Sequence, residues 1–154
     1  MAAGVVTVYS AHKGRLVLHD LIGASVKLAL LKSTYTPNAV HAGHAIWASV
    51  SAEEIAAGNG YSAGGIALAD KSIAAIAAGY GLKFSSGDAV WTATGGSIPA
   101  FRYAVLYVAG SLWGYASPLI GYFLADTTPA DMPATDAGNT LTLSCPADGW
   151  FDVT

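Results

Sequence analysis

The chain has 154 residues, enough for one domain with its own core, and 53% of them are hydrophobic while 11% are charged. This balance excludes a disordered chain, and a formal charge of -3 with scattered Lys and Arg excludes a basic nucleic-acid-binding face. A single cysteine, Cys145, excludes a disulfide-rich scaffold and a multi-cysteine metal site.

Short strands are predicted along most of the chain, because brief apolar runs alternate with Gly, Pro, Asn and Asp. In the N-terminal half, residues 5–9 and 26–31 are predicted strands, and residues 15–22 are predicted to form two helical turns. The strands predicted beyond Gly60 are residues 66–68, 72–77, 82–84, 89–94, 98–107, 119–124, 141–144 and 150–153.

Two further segments have helical features. Ser51 and Glu54 stand in capping-box spacing before an apolar run, which predicts a helix of about two turns that Gly58 ends. Residues 69–78 are rich in alanine and suit either a strand or a helix, because their two isoleucines fit helical spacing better than strict alternation.

The predicted fold class is mainly β. A single domain over residues 1–154 is expected to form an antiparallel β-sandwich, jelly-roll-like, with one or two short helices in the N-terminal half. Residues 103–125 carry no charge and are long enough to span a bilayer, but Gly, Ser and Pro interrupt them and no Lys/Arg cluster flanks them. They are therefore predicted to form two strands joined by a turn, and no signal peptide is predicted.

Two glycine-rich motifs overlap around Ser62, and both lack the context that their chemistry needs. Residues 60–64 match G-x-S-x-G, the nucleophile elbow, but a predicted helix precedes Ser62 and all four histidines come before it in the chain. Residues 58–63 match G-x-G-x-x-A of dinucleotide sites, but Gly64 and Gly65 would break the required helix. Glycine turns are therefore expected here, with neither a hydrolase nor a cofactor.

The other candidate ligands are sparse. His41 and His44 stand at i, i+3 without a suitable third ligand nearby, so loop histidines are expected. Asp126, Asp131 and Asp136 lack the spacing of a calcium loop, so solvated carboxylates are expected. No metal is predicted, and a glycosidase-type carboxylate pair, which meets only in three dimensions, stays open.

The deficit of charge is informative about partners. A typical domain carries about 25% Asp, Glu, Lys and Arg, whereas this chain has only 7 basic and 10 acidic residues. Such a surface is predicted to lie against other subunits, the alternative being a monomer coated with Ala, Gly and Thr. Contacts are predicted within residues 103–125 and the polar, Pro-rich loop 126–139, which could reach a neighbour as an arm. The predicted interface residues are Trp113, Tyr115, Tyr122, Pro129 and Pro133.

Four stretches, taken in order, resemble a family of small bacteriophage virion proteins. They are residues 26–38 (VKLALLKSTYTPN), 51–55 with 58–68 (SAEEI and GNGYSAGGIAL), 102–107 (RYAVLY) and 117–122 (SPLIGY). The resemblance implies a β-rich structural protein of the particle, either a head decoration (cement) protein or a tail-associated protein.

The leading hypothesis is a non-enzymatic capsid decoration protein, located in the virion and assembled in the host cytoplasm. Its expected partners are further copies of itself, in a homo-oligomer such as a trimer, and the major capsid protein, with neither nucleic acid nor membrane. The alternative is a tail-fibre or receptor-binding module that stacks host glycans on exposed aromatic residues. The tryptophans considered as glycan platforms are Trp47, Trp91, Trp113 and Trp150.

Overall fold

Strands account for most of the regular structure. The computed structural model describes residues 4–9, 17–40, 43–76, 81–126 and 130–153. Within these ranges the elements are, in chain order, β1 (Thr7–Val8), α1 (Leu18–Gly23), β2 (Val26–Leu31), two 3-10 turns (Trp47–Ser49 and Ser51–Glu53), β3 (Ile66–Ala67), β4 (Ser72–Ala75), β5 (Leu82–Ser85), β6 (Ala89–Thr92), β7 (Tyr103–Val108), β8 (Ser111–Leu112), β9 (Tyr115–Ala116), β10 (Leu119–Leu124), β11 (Thr140–Leu143) and β12 (Phe151–Val153). Over these ranges the chain is mainly β, as predicted, and α1 and the 3-10 turns all precede β3.

A five-stranded antiparallel sheet forms the framework, in the order β1-β10-β7-β2-β3. Strands β2 and β7 pair along their whole length, from Val26 opposite Val108 to Leu31 opposite Tyr103. Strand β10 pairs with the other side of β7, with a register shift between Leu119 and Gly121. The predicted strands 26–31 and 119–124 are confirmed at both ends.

One face of this sheet packs on the main hydrophobic core. Leu28, Leu30 and Leu106 point into it and are completely buried. The three-stranded sheet β12-β5-β4 and the two-stranded sheet β11-β6 supply the other side of the core, for example through Phe84 and Trp91. Two layers of antiparallel sheet around one core make the fold sandwich-like, as predicted.

The other face of the framework sheet is covered by an irregular segment, described over residues 32–40 and 43–53. Its Tyr35 and Val50 are buried against alternate residues of β2 and β7, among them Ala29, Leu31 and Val105. Because both faces are covered, β2 and β7 are apolar at almost every position instead of alternating with polar residues.

The helix predicted from Ser51 is wrong. Only Ser51–Glu53 form a 3-10 turn, its N-cap is Val50 without a side-chain capping bond, and Glu54 already has extended backbone (φ -63°, ψ 146°). The carboxylate of Glu54 does not cap the segment, because it accepts hydrogen bonds from the later residues Tyr61 and Gly64. A tertiary contact thus overrides the local capping pattern.

Several other predicted strands are shorter than expected, for example 5–9 and 89–94, of which Thr7–Val8 and Ala89–Thr92 form strands. The strand predicted over residues 98–107 begins at Tyr103, because Ile98 and Phe101 instead make isolated bridges to Thr135 and Met132. Within the ambiguous segment 69–78, Ser72–Ala75 form strand β4, while residues 77 and 78 lie outside the described ranges.

The uncharged residues 103–125 form strands β7, β8, β9 and β10, in agreement with the predicted pair of strands and turn. No helix within the described ranges is long and apolar enough to cross a bilayer. Strands β7 and β10 are buried in the middle of the sheet, so the outward part of this stretch is the small β8–β9 hairpin.

Candidate assembly surface

The predicted interface residues Trp113 and Tyr115 lie on the β8–β9 hairpin. Its turn is made by Trp113 and Gly114, both with positive φ (54° and 82°), which is the geometry of a type I′ turn. A left-handed conformation costs a residue with a side chain roughly 1–2 kcal/mol. The half-buried indole donates from Nε1 to Oδ2 of Asp20 on α1, at 2.9 Å. Trp113 therefore ties the hairpin to the helix and exposes only part of its ring.

The remaining predicted interface residues lie on other elements. Tyr122 is on β10 and belongs to a cluster of tyrosines, where it is half-buried. Pro133 is exposed within residues 130–139, and Pro129 lies outside the described residues. The four described residues therefore lie on separate parts of the fold, with only Trp113 and Tyr115 sharing one hairpin.

The described part of the predicted arm lies along the molecule. Met132 and Phe101 exchange backbone hydrogen bonds, and the Arg102 Nε atom lies 2.8 Å from Oδ1 of Asp131. The Ser97 hydroxyl donates to Asp136 at 3.1 Å. Residues 130–139 are thus tied to residues 97–102 and do not reach away from the domain.

Tyrosines pack on the outer face of the framework sheet. The hydroxyl groups of Tyr9 and Tyr35 are 2.5 Å apart, and Nδ1 of His44 is 3.3 Å from the Tyr35 hydroxyl. Tyr103 and Tyr122 pack edge-on against Tyr35. Burial raises the pKa of Tyr9 far above its ordinary value and that of Tyr35 to about 12, so both hydroxyls stay protonated.

Glu54 joins the glycine-rich segment to the framework sheet. The Oε1 atom of its carboxylate accepts two hydrogen bonds, one from the Tyr61 hydroxyl and one from the Gly64 N–H, both at 2.7 Å. The same hydroxyl accepts from the Leu30 N–H at 3.0 Å. Burial raises the pKa of Tyr61 well above its ordinary value, so it remains a donor to Glu54.

The motif around Ser62 forms two consecutive turns. Gly58 and Tyr61 exchange backbone hydrogen bonds across Asn59 and Gly60, whose φ angles of 55° and 95° fit a type I′ turn. Ser62 is exposed after this turn, and strand β3 follows. A nucleophile elbow instead has a strand before the serine and a helix after it. The prediction of glycine turns is therefore confirmed.

The candidate metal ligands that the structure describes do not form a metal site. Within the described ranges, no group of three or more His, Cys, Asp or Glu side chains is placed to hold a metal ion. The His44 ring stacks on Tyr35 with 5.7 Å between ring centroids, and His41 lies outside those ranges.

Two of the four tryptophans considered as glycan platforms are buried. Trp91 and Trp150 are in the core, at 4% and 2% exposure. Trp47 is half-buried and stacks on Tyr107, with centroids 4.4 Å apart and planes within 10°. Only Trp47 and Trp113 therefore present part of a ring to solvent, on separate elements.

An apolar row is exposed at one end of the sheet β12-β5-β4. Ala75, Leu82 and Val153 are direct cross-strand partners, so their side chains lie side by side on one face. The preceding row on the same face packs into the core and consists of Ile73, Phe84 and Phe151. Leu82 and Val153 remain 47% and 43% exposed. The core-facing side of this sheet thus continues one row beyond the core, and we call Ala75, Leu82 and Val153 the apolar row.

A second exposed region lies between the edge strands β1 and β12. Val5 is 93% exposed there, between two open grooves of about 300 and 350 Å³. Three carboxylates line these grooves, from Asp126, Asp148 and Asp152. Acidic side chains therefore line these grooves, unlike the apolar row.

Sequence reasoning missed the apolar row, although part of its pattern was present. Leu82 and Phe84 stand at i, i+2 in one predicted strand, as do Phe151 and Val153 in another, which predicts a shared face. The register of β12 against β5 pairs residues about 70 positions apart, and no local sequence pattern predicts it.

Comparisons with protein-family models, with curated proteins and with solved structures find no match to the chain. The bacteriophage assignment therefore stays a prediction from the four resembling stretches. The apolar row is an independent observation, because it depends only on strand register and exposure.

Proposed function

We propose that this chain is a non-enzymatic structural protein of a bacteriophage particle, which decorates the capsid and stabilises it through contacts between subunits. The observation that carries the proposal is the apolar row, where core-type side chains remain exposed (Leu82 47%, Val153 43%). The chain has only 17 charged residues, 7 basic and 10 acidic. Such an apolar surface has a lower free energy in contact with protein than in contact with water.

The resemblance to phage virion proteins supports the same proposal through the framework sheet. The resembling stretches include β2, β7 and the start of β10, which are neighbours in that sheet, and the turns that lead into β3. The apolar row lies outside these stretches. The resemblance therefore concerns the scaffold, and the apolar row is a separate line of support.

The proposed mechanism is additive burial. A standard protein interface buries about 1,600 Å² in total, and apolar area removed from water contributes about 25 cal/mol per Å². Each copy that binds only the assembled shell stabilises the shell by mass action. Repeated over many sites, modest contacts raise the free energy needed to disassemble the head.

The test uses heads of the phage that encodes the chain, prepared without this protein. We expect the purified protein to co-sediment with these heads, and Leu82→Lys to reduce bound copies at least about tenfold, because a charge replaces buried apolar surface. Val90→Lys is the matched control, since Val90 is similarly exposed (43%) but lies on β6. Mass spectrometry of complete virions should detect the chain.

Absence of the chain from virions, or failure of the unmodified protein to bind heads, would overturn the proposal. The same preparation is incubated with polysaccharide from the host surface. Binding to polysaccharide without binding to heads would instead support a receptor-binding module that uses Trp47 or Trp113.

A further inference from the structure

Strand β4 is an edge strand that has few of the features that usually prevent pairing. In the described part of the chain it pairs only with β5, and Ser72, Ala74 and Ala75 are exposed. No charged residue and no proline occurs within it. Lys71, which precedes it, donates to the Ala24 carbonyl oxygen and is held at the end of α1. Edge strands are normally protected by charges, proline or bulges.

The hydrogen-bond pattern shows which backbone groups point outward. The Ile76 N–H donates to the carbonyl oxygen of Gly81, so even-numbered residues of β4 direct their backbone groups toward β5. Ile73 and Ala75 therefore direct their N–H and C=O groups to the open edge. Ile73 and Ala75 lie on either side of Ala74, so an antiparallel copy of β4 would present matching N–H and C=O groups to them.

The geometry points to a dimer in which β4 pairs antiparallel with β4 of a second copy, around Ala74. Ile73 of each copy then lies opposite Ala75 of the other, and four backbone hydrogen bonds form across a twofold axis. The result is a continuous sheet of six strands. This inference rests on the proposed function, because self-association is part of it, and it identifies the surface involved. It predicts a twofold dimer where the sequence suggested a trimer.

Charge favours this edge over the opposite edge of the same sheet. Pairing of β12 with itself around Asp152 would place two carboxylates about 5 Å apart, and like charges directly opposite are destabilising. In the β4 pairing, the nearest charged outward residues of the sheet are Lys83 of each copy, three strand spacings or about 14 Å apart. That distance exceeds the screening length of about 8 Å at physiological salt.

The pairing also accounts for the apolar row. On the core-facing side of the joined sheet, Val153, Leu82 and Ala75 of one copy stand in line with Ile73 and Phe84 of the other. In the second copy α1 contacts β4, so that helix would lie beside the exposed end of the row. A second copy therefore brings both an edge strand and apolar cover to the same place.

Sedimentation equilibrium of the full chain, from about 1 to 200 µM, tests the pairing. We expect the unmodified protein to form a dimer and Ala74→Lys to weaken it at least about tenfold, because two ammonium groups would meet at the twofold axis. Ala75→Pro should have the same effect, since it removes an N–H that points to the open edge and not one that bonds β5. Thr140→Lys, an exposed substitution on β11, is the control that should remain dimeric.

Far-UV circular dichroism must match the unmodified protein for each variant, so that loss of dimer is not loss of fold. A monomer or trimer at every concentration, or a dimer that survives both β4 substitutions, would overturn the pairing. Head binding is measured in parallel. If a purely monomeric protein binds heads, the pairing is overturned and the decoration role stands. If the protein forms the β4 dimer but does not bind heads, the decoration role is overturned and the pairing stands.

Discussion

The Glu54 carboxylate accepts hydrogen bonds from two donors in the glycine-rich segment. One of its oxygens accepts from the Tyr61 hydroxyl and the Gly64 N–H. Glu54→Ala would leave both donors without this acceptor, one of them on a buried side chain, and should lower the free energy of unfolding by about 2–3 kcal/mol. Urea denaturation followed by tryptophan fluorescence measures the change.

The neighbouring glutamate provides the control. The Glu53 carboxylate accepts a hydrogen bond from the hydroxyl of Thr34 at an exposed position. Glu53→Ala should therefore change stability by about 0.5 kcal/mol or less. Equal losses in the two variants would show that the hydrogen bonds of Glu54 are not what holds the glycine-rich segment.

At the scale of elements, the Asn59–Gly60 turn is fixed by close approach as well as by φ. A Cβ on Gly60 would collide with the backbone oxygen of Thr92, whereas a Cβ on Gly95 would meet nothing within 4 Å. Both glycines have positive φ, 95° and 76°. Gly60→Ala should cost about 3 kcal/mol or more, and Gly95→Ala about 1 kcal/mol. Thermal unfolding of the pair separates the clash from the backbone conformation, and similar losses would contradict the packing explanation.

The elements that the sequence predicted well are those whose pattern is local. Strands β2 and β10 are apolar runs bounded by breakers, and their predicted ends agree with the structure residue for residue. The helix from Ser51 failed because Glu54 has a distant partner, Tyr61, that a capping motif cannot reveal. The turn between β7 and β10 was predicted, but the β8–β9 hairpin within it was not, because type I′ turns usually carry Asn or Gly at the position that Trp113 occupies.

At the scale of the whole molecule, the two surfaces that matter most depend on distant pairings. Residues 32–40 and 43–53 cover the outer face of the framework sheet, and no periodicity in their sequence predicts that role. The apolar row requires β4, β5 and β12 to be aligned in register, with β12 about 70 residues from β5. Composition predicted a surface with few charges, but only the register shows that the exposed Leu82 and Val153 are direct neighbours.

The tyrosines buried in the two cores make the stability of the whole domain depend on alkaline pH. Burial raises the pKa of Tyr35 and Tyr107 from 10.0 to about 12, and raises those of Tyr9 and Tyr61 further. Their contribution to stability is complete below about pH 10, where these tyrosines are protonated in both the folded and unfolded chains. Above it the unfolded chain loses protons that the native chain retains, so the free energy of unfolding falls.

Between pH 10 and 12 we expect a fall of roughly 1 kcal/mol per pH unit for each of these four tyrosines. Urea unfolding at several pH values measures this slope, and the increase in absorbance at 295 nm on unfolding measures the additional tyrosinate of the unfolded chain. Tyr35→Phe retains the aromatic packing and should reduce the slope by about one proton. If the native protein ionised all its tyrosines near pH 10 without losing stability, the buried hydroxyls could not be part of a closed, water-excluding core. The outer face of the framework sheet would then be open to solvent where Tyr9 and Tyr35 now meet.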